Sequence, residues 1–78
     1  PESHRQQLLT TFDDWQQKMT SCLQLAQQEK AISASLDCKA LASFFWLGWE
    51  GAIAKSKLTQ NLAPIDGFID TFLHLIAK

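Results

Sequence analysis

The 78-residue sequence lacks the cross-links on which small domains often depend. Its two cysteines, Cys22 and Cys38, are too few for a disulfide framework. Its two histidines, His4 and His74, lie far apart, and neither belongs to a cluster with zinc-ligand spacing. A single core below roughly 80 residues seldom supplies more than about 3–5 kcal/mol of stability. We therefore expect no metal, and we expect a partner subunit to provide additional stability.

Other absences exclude whole functional classes. The 7 basic and 8 acidic residues are nearly balanced and form no basic run, so nothing favours binding to a phosphate backbone. No apolar run reaches the roughly 20 residues of a membrane span. The Gln-rich N-terminus is not a signal peptide, and we expect a cytoplasmic protein. Without a Ser/His/Asp arrangement or a Gly-rich phosphate loop, we expect neither an enzyme nor a cofactor.

The most apolar stretch, FFWLGWEGAIAKSKL at residues 44–58, dominates what remains. Its periodicity is helical, and apolar or small residues occupy most of the helix circumference. The only polar seam consists of Lys39, Ser43, Glu50 and Lys57. This seam favours a solvated Glu50 over the alternative, a functional buried carboxylate. A helix that is apolar nearly all round is usually buried, and this chain has little else with which to cover it.

The spacing of apolar residues predicts an all-α fold of three antiparallel helices, at about residues 4–30, 38–59 and 64–77. Asp37 is the predicted N-cap of the second helix, and Pro64 fits a first turn. Gly48 and Gly51 lie inside the second helix, where each costs about 1 kcal/mol relative to Ala. The stripe of small residues that includes Gly48 predicts a tight helix crossing.

Two further groups of residues are candidate sites. Aromatic and apolar side chains suggest a ligand-pocket wall, although the same residues also suit a plain core. The wall candidates are Trp15, Met19, Phe44, Trp46 and Leu47. Cys38 lies at a helix N-terminus beside Lys39, and both features favour a thiolate, so a redox-sensing thiol is an alternative to a simple helix start. Cys22, on an apolar face, is expected to be a small core residue.

The stretch FFWLGWEGAIAKSKL, a short polar link with Pro64, and the following helix ending LHLIAK resemble the last two helices of the tetracycline-repressor (TetR) family of bacterial transcriptional regulators. The long first helix, HRQQLLTTFDDWQQKMTSCLQLAQQEK, is similar to the helix that precedes them. This resemblance covers almost the whole chain. It implies a repressor whose N-terminal helix-turn-helix domain binds operator DNA and whose C-terminal helical domain binds a small effector and dimerises.

The resemblance also implies a homodimer in which the last two helices of each copy form a four-helix bundle. The residues assigned to this interface are Phe45, Gly48, Trp49, Ala52, Lys55, Phe68, Phe72 and Leu75. We expect the chain, which begins at Pro1 without a Met, to be a C-terminal fragment that lacks the helix-turn-helix domain and does not bind DNA itself. The alternatives are a stand-alone helical adaptor that binds a partner helix, or a thiol sensor that uses Cys38.

Overall fold

The computed structural model describes residues 2–77 and confirms the all-α fold class. The three helices are α1 (Glu2–Gln28), α2 (Cys38–Thr59) and α3 (Ala63–Ile76), and no β-strand forms within the described range. Helix α2 has the predicted bounds. Helix α1 begins and ends two residues before its predicted positions, and α3 begins and ends one residue early.

The helices form a thin layer. The backbone measures 42 × 32 × 13 Å along its principal axes, and the longest dimension matches the roughly 40 Å length of a 27-residue helix. Helix α2 lies between α1 and α3 and packs against both. A layer little more than one helix thick cannot enclose a core on all sides, so many large apolar side chains remain exposed.

The buried core lies at the end of the layer where α1 stops, α2 starts and α3 finishes. Ala42 is fully buried at its centre, with 0% of its surface exposed. The other core residues are Leu23, Ile32, Cys38, Phe72 and Ile76. An antiparallel backbone bridge between Ile32 and Ala77 fastens the first connection to the end of α3.

Side-chain hydrogen bonds fix the connections between helices. The Gln27 amide donates to the carbonyl oxygens of Ser33 and Leu36 at 3.1 and 2.7 Å, which holds residues 29–37 against the end of α1. Asp37 accepts a hydrogen bond from the backbone N–H of Ala40 at 3.1 Å, so the predicted N-cap is confirmed. In the second connection, the Asn61 side chain accepts from the backbone N–H of Ala63 at 2.8 Å.

The predicted tight crossing occurs between α2 and α3 of the same chain. The ring of Phe68 lies directly over Gly48, and a Cβ atom added to Gly48 would overlap that ring. Ala52 and Ser56, one and two turns further along α2, are also buried. Only a residue without a side chain allows α3 to approach α2 this closely at Gly48.

We expect Gly48→Ala to lower the free energy of unfolding by about 1–3 kcal/mol, because overpacking against Phe68 outweighs the gain in helix propensity. The matched control is Gly67→Ala in α3, where an added Cβ meets no atom within 4 Å. That control should raise stability by up to about 1 kcal/mol. Urea unfolding followed by circular dichroism measures both changes, and a neutral or stabilising Gly48→Ala would contradict the packing argument.

Candidate functional site

Helix α2 presents two different apolar surfaces on its opposite sides. The first is an aromatic groove between α1 and α2, on the side that packs against the rest of the chain. Its lining residues are Trp15, Lys18, Met19, Cys22, Phe45, Trp46 and Trp49. The groove encloses a cavity of about 520 Å³ that is open to solvent. Apart from one lysine and one cysteine, its walls are aromatic rings and a thioether, which suit an apolar ligand.

Ring contacts hold the walls of the aromatic groove in place. Trp15 of α1 stacks on Trp46 of α2 with ring centroids 4.9 Å apart. Phe45 packs at 5.9 Å from Trp49 and at 5.0 Å from Phe72 of α3. Pairs of this kind contribute about 0.5–1.5 kcal/mol beyond their buried area. Phe45 therefore connects the groove to the α2–α3 packing, so the groove rests on the core.

The second surface is an outer stripe on the opposite side of α2. Its members follow each other at spacings of 4, 3, 4, 3 and 4 residues, which places them on one helix face. They are Ala40, Phe44, Leu47, Gly51, Ala54 and Leu58. Leu47 and Leu58 are 74% and 86% exposed, and a Cβ added to Gly51 would meet no atom. All six residues are exposed, and Phe12 and Gln16 of α1 border the stripe beside Leu47.

The structure divides the predicted pocket wall between these two surfaces. Trp15, Met19 and Trp46 line the aromatic groove together, with Trp49 beside them. Phe44 and Leu47 are not among the residues that line this groove, although Leu47 lines a smaller groove with Phe12 and Trp46. Their place in a ligand-pocket wall stays a prediction. Cys22 and Lys18 also line the groove. Cys22 was expected in the core, and no sequence pattern pointed to Lys18.

Most residues assigned to the dimer interface are occupied by contacts inside the chain. Phe45 packs on Phe68 and Phe72, Gly48 lies under Phe68, and Ala52 and Phe72 are buried. These five positions of α2 and α3 therefore contribute to packing within one copy of the chain, and their place in a dimer interface stays a prediction. Lys55 and Leu75 are exposed, whereas Trp49 lines the groove and Phe68 is half-buried.

The two thiols lie in different environments, and Cys22 is not the core residue that the sequence predicted. Cys38 is 6% exposed and belongs to the core with Leu23 and Ala42, so a solute oxidant has little access to it. Cys22 is exposed on α1 at the edge of the groove. The helix N-terminus and the neighbouring lysine indicate the local charge around Cys38. These sequence features carry no information on its burial, which comes from packing against α1 and α3.

Within residues 2–77 no group of His, Cys, Asp and Glu side chains is arranged to hold a metal ion. In the same range no helix is both long and apolar enough to cross a membrane.

Comparison with known proteins agrees with this helical layer. A family described as the tetracyclin repressor-like C-terminal domain matches residues 1–72. The transcriptional regulator AcuR of Cereibacter sphaeroides is 38% identical over 79 residues, which cover 100% of this chain and 36% of AcuR. The HTH-type transcriptional repressor DhaR of Mycobacterium sp. strain GP1 is 32% identical over 65 residues, which cover 83% of this chain and 33% of DhaR.

A solved structure has the same fold. The crystal structure of the regulatory protein TetR from Rhodobacter sphaeroides superimposes with a TM-score of 0.93 at 35% identity, over 99% of this chain and 41% of that protein. The chain belongs to the family of tetracyclin repressor-like C-terminal domains of transcriptional regulators. It spans about a third of the length of the curated relatives that it matches.

We expect iodoacetamide to modify Cys22 at least about tenfold faster than Cys38 in the folded chain, because only Cys22 is exposed. Peptide mass spectrometry of timed samples measures the two rates. In concentrated urea the rates should become similar, which serves as the control. Fast modification of Cys38 under native conditions would restore the thiol-sensor hypothesis.

Proposed function

We propose that this chain is the dimerisation and effector-sensing part of a transcriptional repressor. The observation that carries the proposal is the position of α2 between an aromatic groove and a continuous apolar stripe. Monomeric proteins seldom expose contiguous apolar patches of this kind without a binding role. Two separate apolar surfaces on one helix suit two occupants, a small molecule in the groove and a second copy on the stripe.

The outer stripe and the neighbouring edge of α3 supply the surface for the second copy. Leu75 lies seven residues after Phe68, so both side chains are on the same face of α3. Because Phe68 rests on Gly48, this face adjoins α2, and Leu75 is 64% exposed there. A second copy that covers the stripe and this edge would complete a four-helix bundle of two α2 and two α3 helices. Lys55 would lie at the rim of the bundle.

The aromatic groove supplies one wall of the effector site. All three tryptophans of the chain line it, and it remains open to solvent. Ligand sites usually bury most of the ligand surface, so further helices of the full-length protein would close the groove. The composition of the wall favours an effector that is an apolar or aromatic small molecule.

Operator binding is assigned to another part of the full-length protein. The net charge of this chain is -1, and it has no basic run. One of the similar proteins is called an HTH-type transcriptional repressor, and each curated relative extends well beyond the matched segment. A helix-turn-helix domain outside these residues would therefore bind DNA, and this chain would bring two such domains together.

Sedimentation equilibrium tests the dimerisation proposal. We expect the chain to be a helical dimer at micromolar concentration, and we expect Leu47→Glu to raise the dimer dissociation constant at least about tenfold. A charge would be buried twice in a symmetric interface, which is the reason for this increase.

The matched control for Leu47→Glu is Leu25→Glu. Leu25 is 53% exposed on α1 and lies away from the stripe, so its replacement should leave the dimer unchanged. A helical wild-type chain that stays monomeric would remove the dimerisation proposal. It would turn attention to a stand-alone adaptor that binds a different partner helix.

Nuclear magnetic resonance tests the groove. A neutral aromatic probe, 2-naphthol, should shift the indole N–H signals of the three tryptophans, because all three rings line the groove. Met19→Glu should abolish these shifts by placing a charge in the apolar wall, whereas Leu25→Glu should retain them. Equal shifts in the wild type and in Met19→Glu would show that the probe binds elsewhere.

A further inference from the structure

One flank of the outer stripe carries opposite charges at heptad spacing. Ser43, Glu50 and Lys57 follow each other at intervals of seven residues, so they form one line along α2 beside the stripe. Glu50 and Lys57 are exposed, and neither has an ion-pair partner among residues 2–77. Seven helical residues span about 10.5 Å, so these two charges are too far apart to pair with each other.

The side-chain sizes of the last four residues of the stripe have a matching symmetry. Leu47, Gly51, Ala54 and Leu58 follow in the order large, small, small, large. An antiparallel second copy can therefore place Leu47 against the partner's Leu58 and Gly51 against the partner's Ala54. The small pair would allow the two helix backbones to approach closely at the centre, where Gly51 now faces open space.

We propose that two copies of the chain pack their α2 helices antiparallel along the outer stripe, with Glu50 of each copy paired with the partner's Lys57. The proposal rests on the proposed dimerisation function and specifies the register in which the two α2 helices pair. The midpoint of Gly51 and Ala54 and the midpoint of Glu50 and Lys57 lie about 1.5 Å apart along the helix. A single two-fold axis therefore serves both the apolar pairs and the ion pairs.

The other flank of the stripe is compatible with the same axis. Gly48 and Lys55 occupy it, also seven residues apart, and the axis places Lys55 towards the partner's Gly48, which Phe68 covers within each copy. No like charges meet on that side. A parallel alignment would instead place Glu50 beside the partner's Lys55 and leave Lys57 without a partner, so only the antiparallel arrangement pairs both Glu50 and Lys57.

Charge reversal tests the register. E50K and K57E should each raise the dimer dissociation constant about tenfold at low salt, because each creates two like-charge pairs. The double variant E50K/K57E exchanges the charges and should return the constant to within about threefold of the wild type. The two single variants change the net charge in opposite directions, so a shared weakening cannot come from net charge. Sedimentation equilibrium measures all four proteins, and circular dichroism verifies their helicity.

Lys55→Glu is the matched control, since it reverses a charge on the flank without ion pairs and should change the constant less than about threefold. Gly51→Leu adds a test of the close approach. It should keep or increase helicity, because the site is open within the chain, while it weakens the dimer at least about tenfold.

The outcomes separate the two proposals. A wild-type dimer that does not respond to E50K and K57E, or a double variant weaker than either single variant, would overturn this register and leave dimerisation standing. A wild-type chain that remains monomeric would overturn both.

Discussion

Helix α2 is apolar around most of its circumference, and two neighbouring helices can cover only part of it. Helices α1 and α3 flank α2 and together bury the side that carries Ala42, Ala52 and Ser56. The opposite side keeps Leu47 and Leu58 in solvent. Burying a leucine side chain is worth about 1.5–3 kcal/mol, so an uncovered stripe of this length is a strong driving force for association. The thin layer, the open groove and the proposed dimer all follow from this incomplete cover.

Gly48 and Gly51 both lie inside α2, but different physical reasons account for a glycine at each position. Gly48 is required inside the chain, because Phe68 occupies the space of its side chain. Gly51 has no such neighbour, and its cost to helix stability of about 1 kcal/mol is not offset by any contact within the described residues. An offsetting contact would have to come from outside the described residues. The contrast between these glycines therefore supports an interface on the outer side of α2.

Local signals in the sequence predicted the helices well, whereas the faces of α2 could not be predicted. Heptad and 3.6-residue spacing, with the Asp37 cap and Pro64, set the helix bounds within two residues, since these signals act over a few neighbouring residues. Spacing also showed that Phe45 and Phe44 lie on different stripes. It did not show which stripe faces α3, because a nearly all-apolar helix gives no contrast between its sides. Likewise, burial of Cys38 depends on Leu23 and Phe72, which are distant in sequence.

The aromatic groove and the outer stripe belong to one rigid helix, and this sets how they can influence each other. Phe45 and Trp49 face the groove side, while Phe44 and Leu47 face the stripe, so adjacent residues of α2 serve opposite surfaces. A packed helix moves as a unit, by small shifts or rotations. Any displacement that a ligand imposes through Phe45 is therefore also a displacement of the stripe. In the proposed function, coupling between effector and dimer geometry then needs no chain of intermediates, only a difference in ligand affinity between two positions of α2.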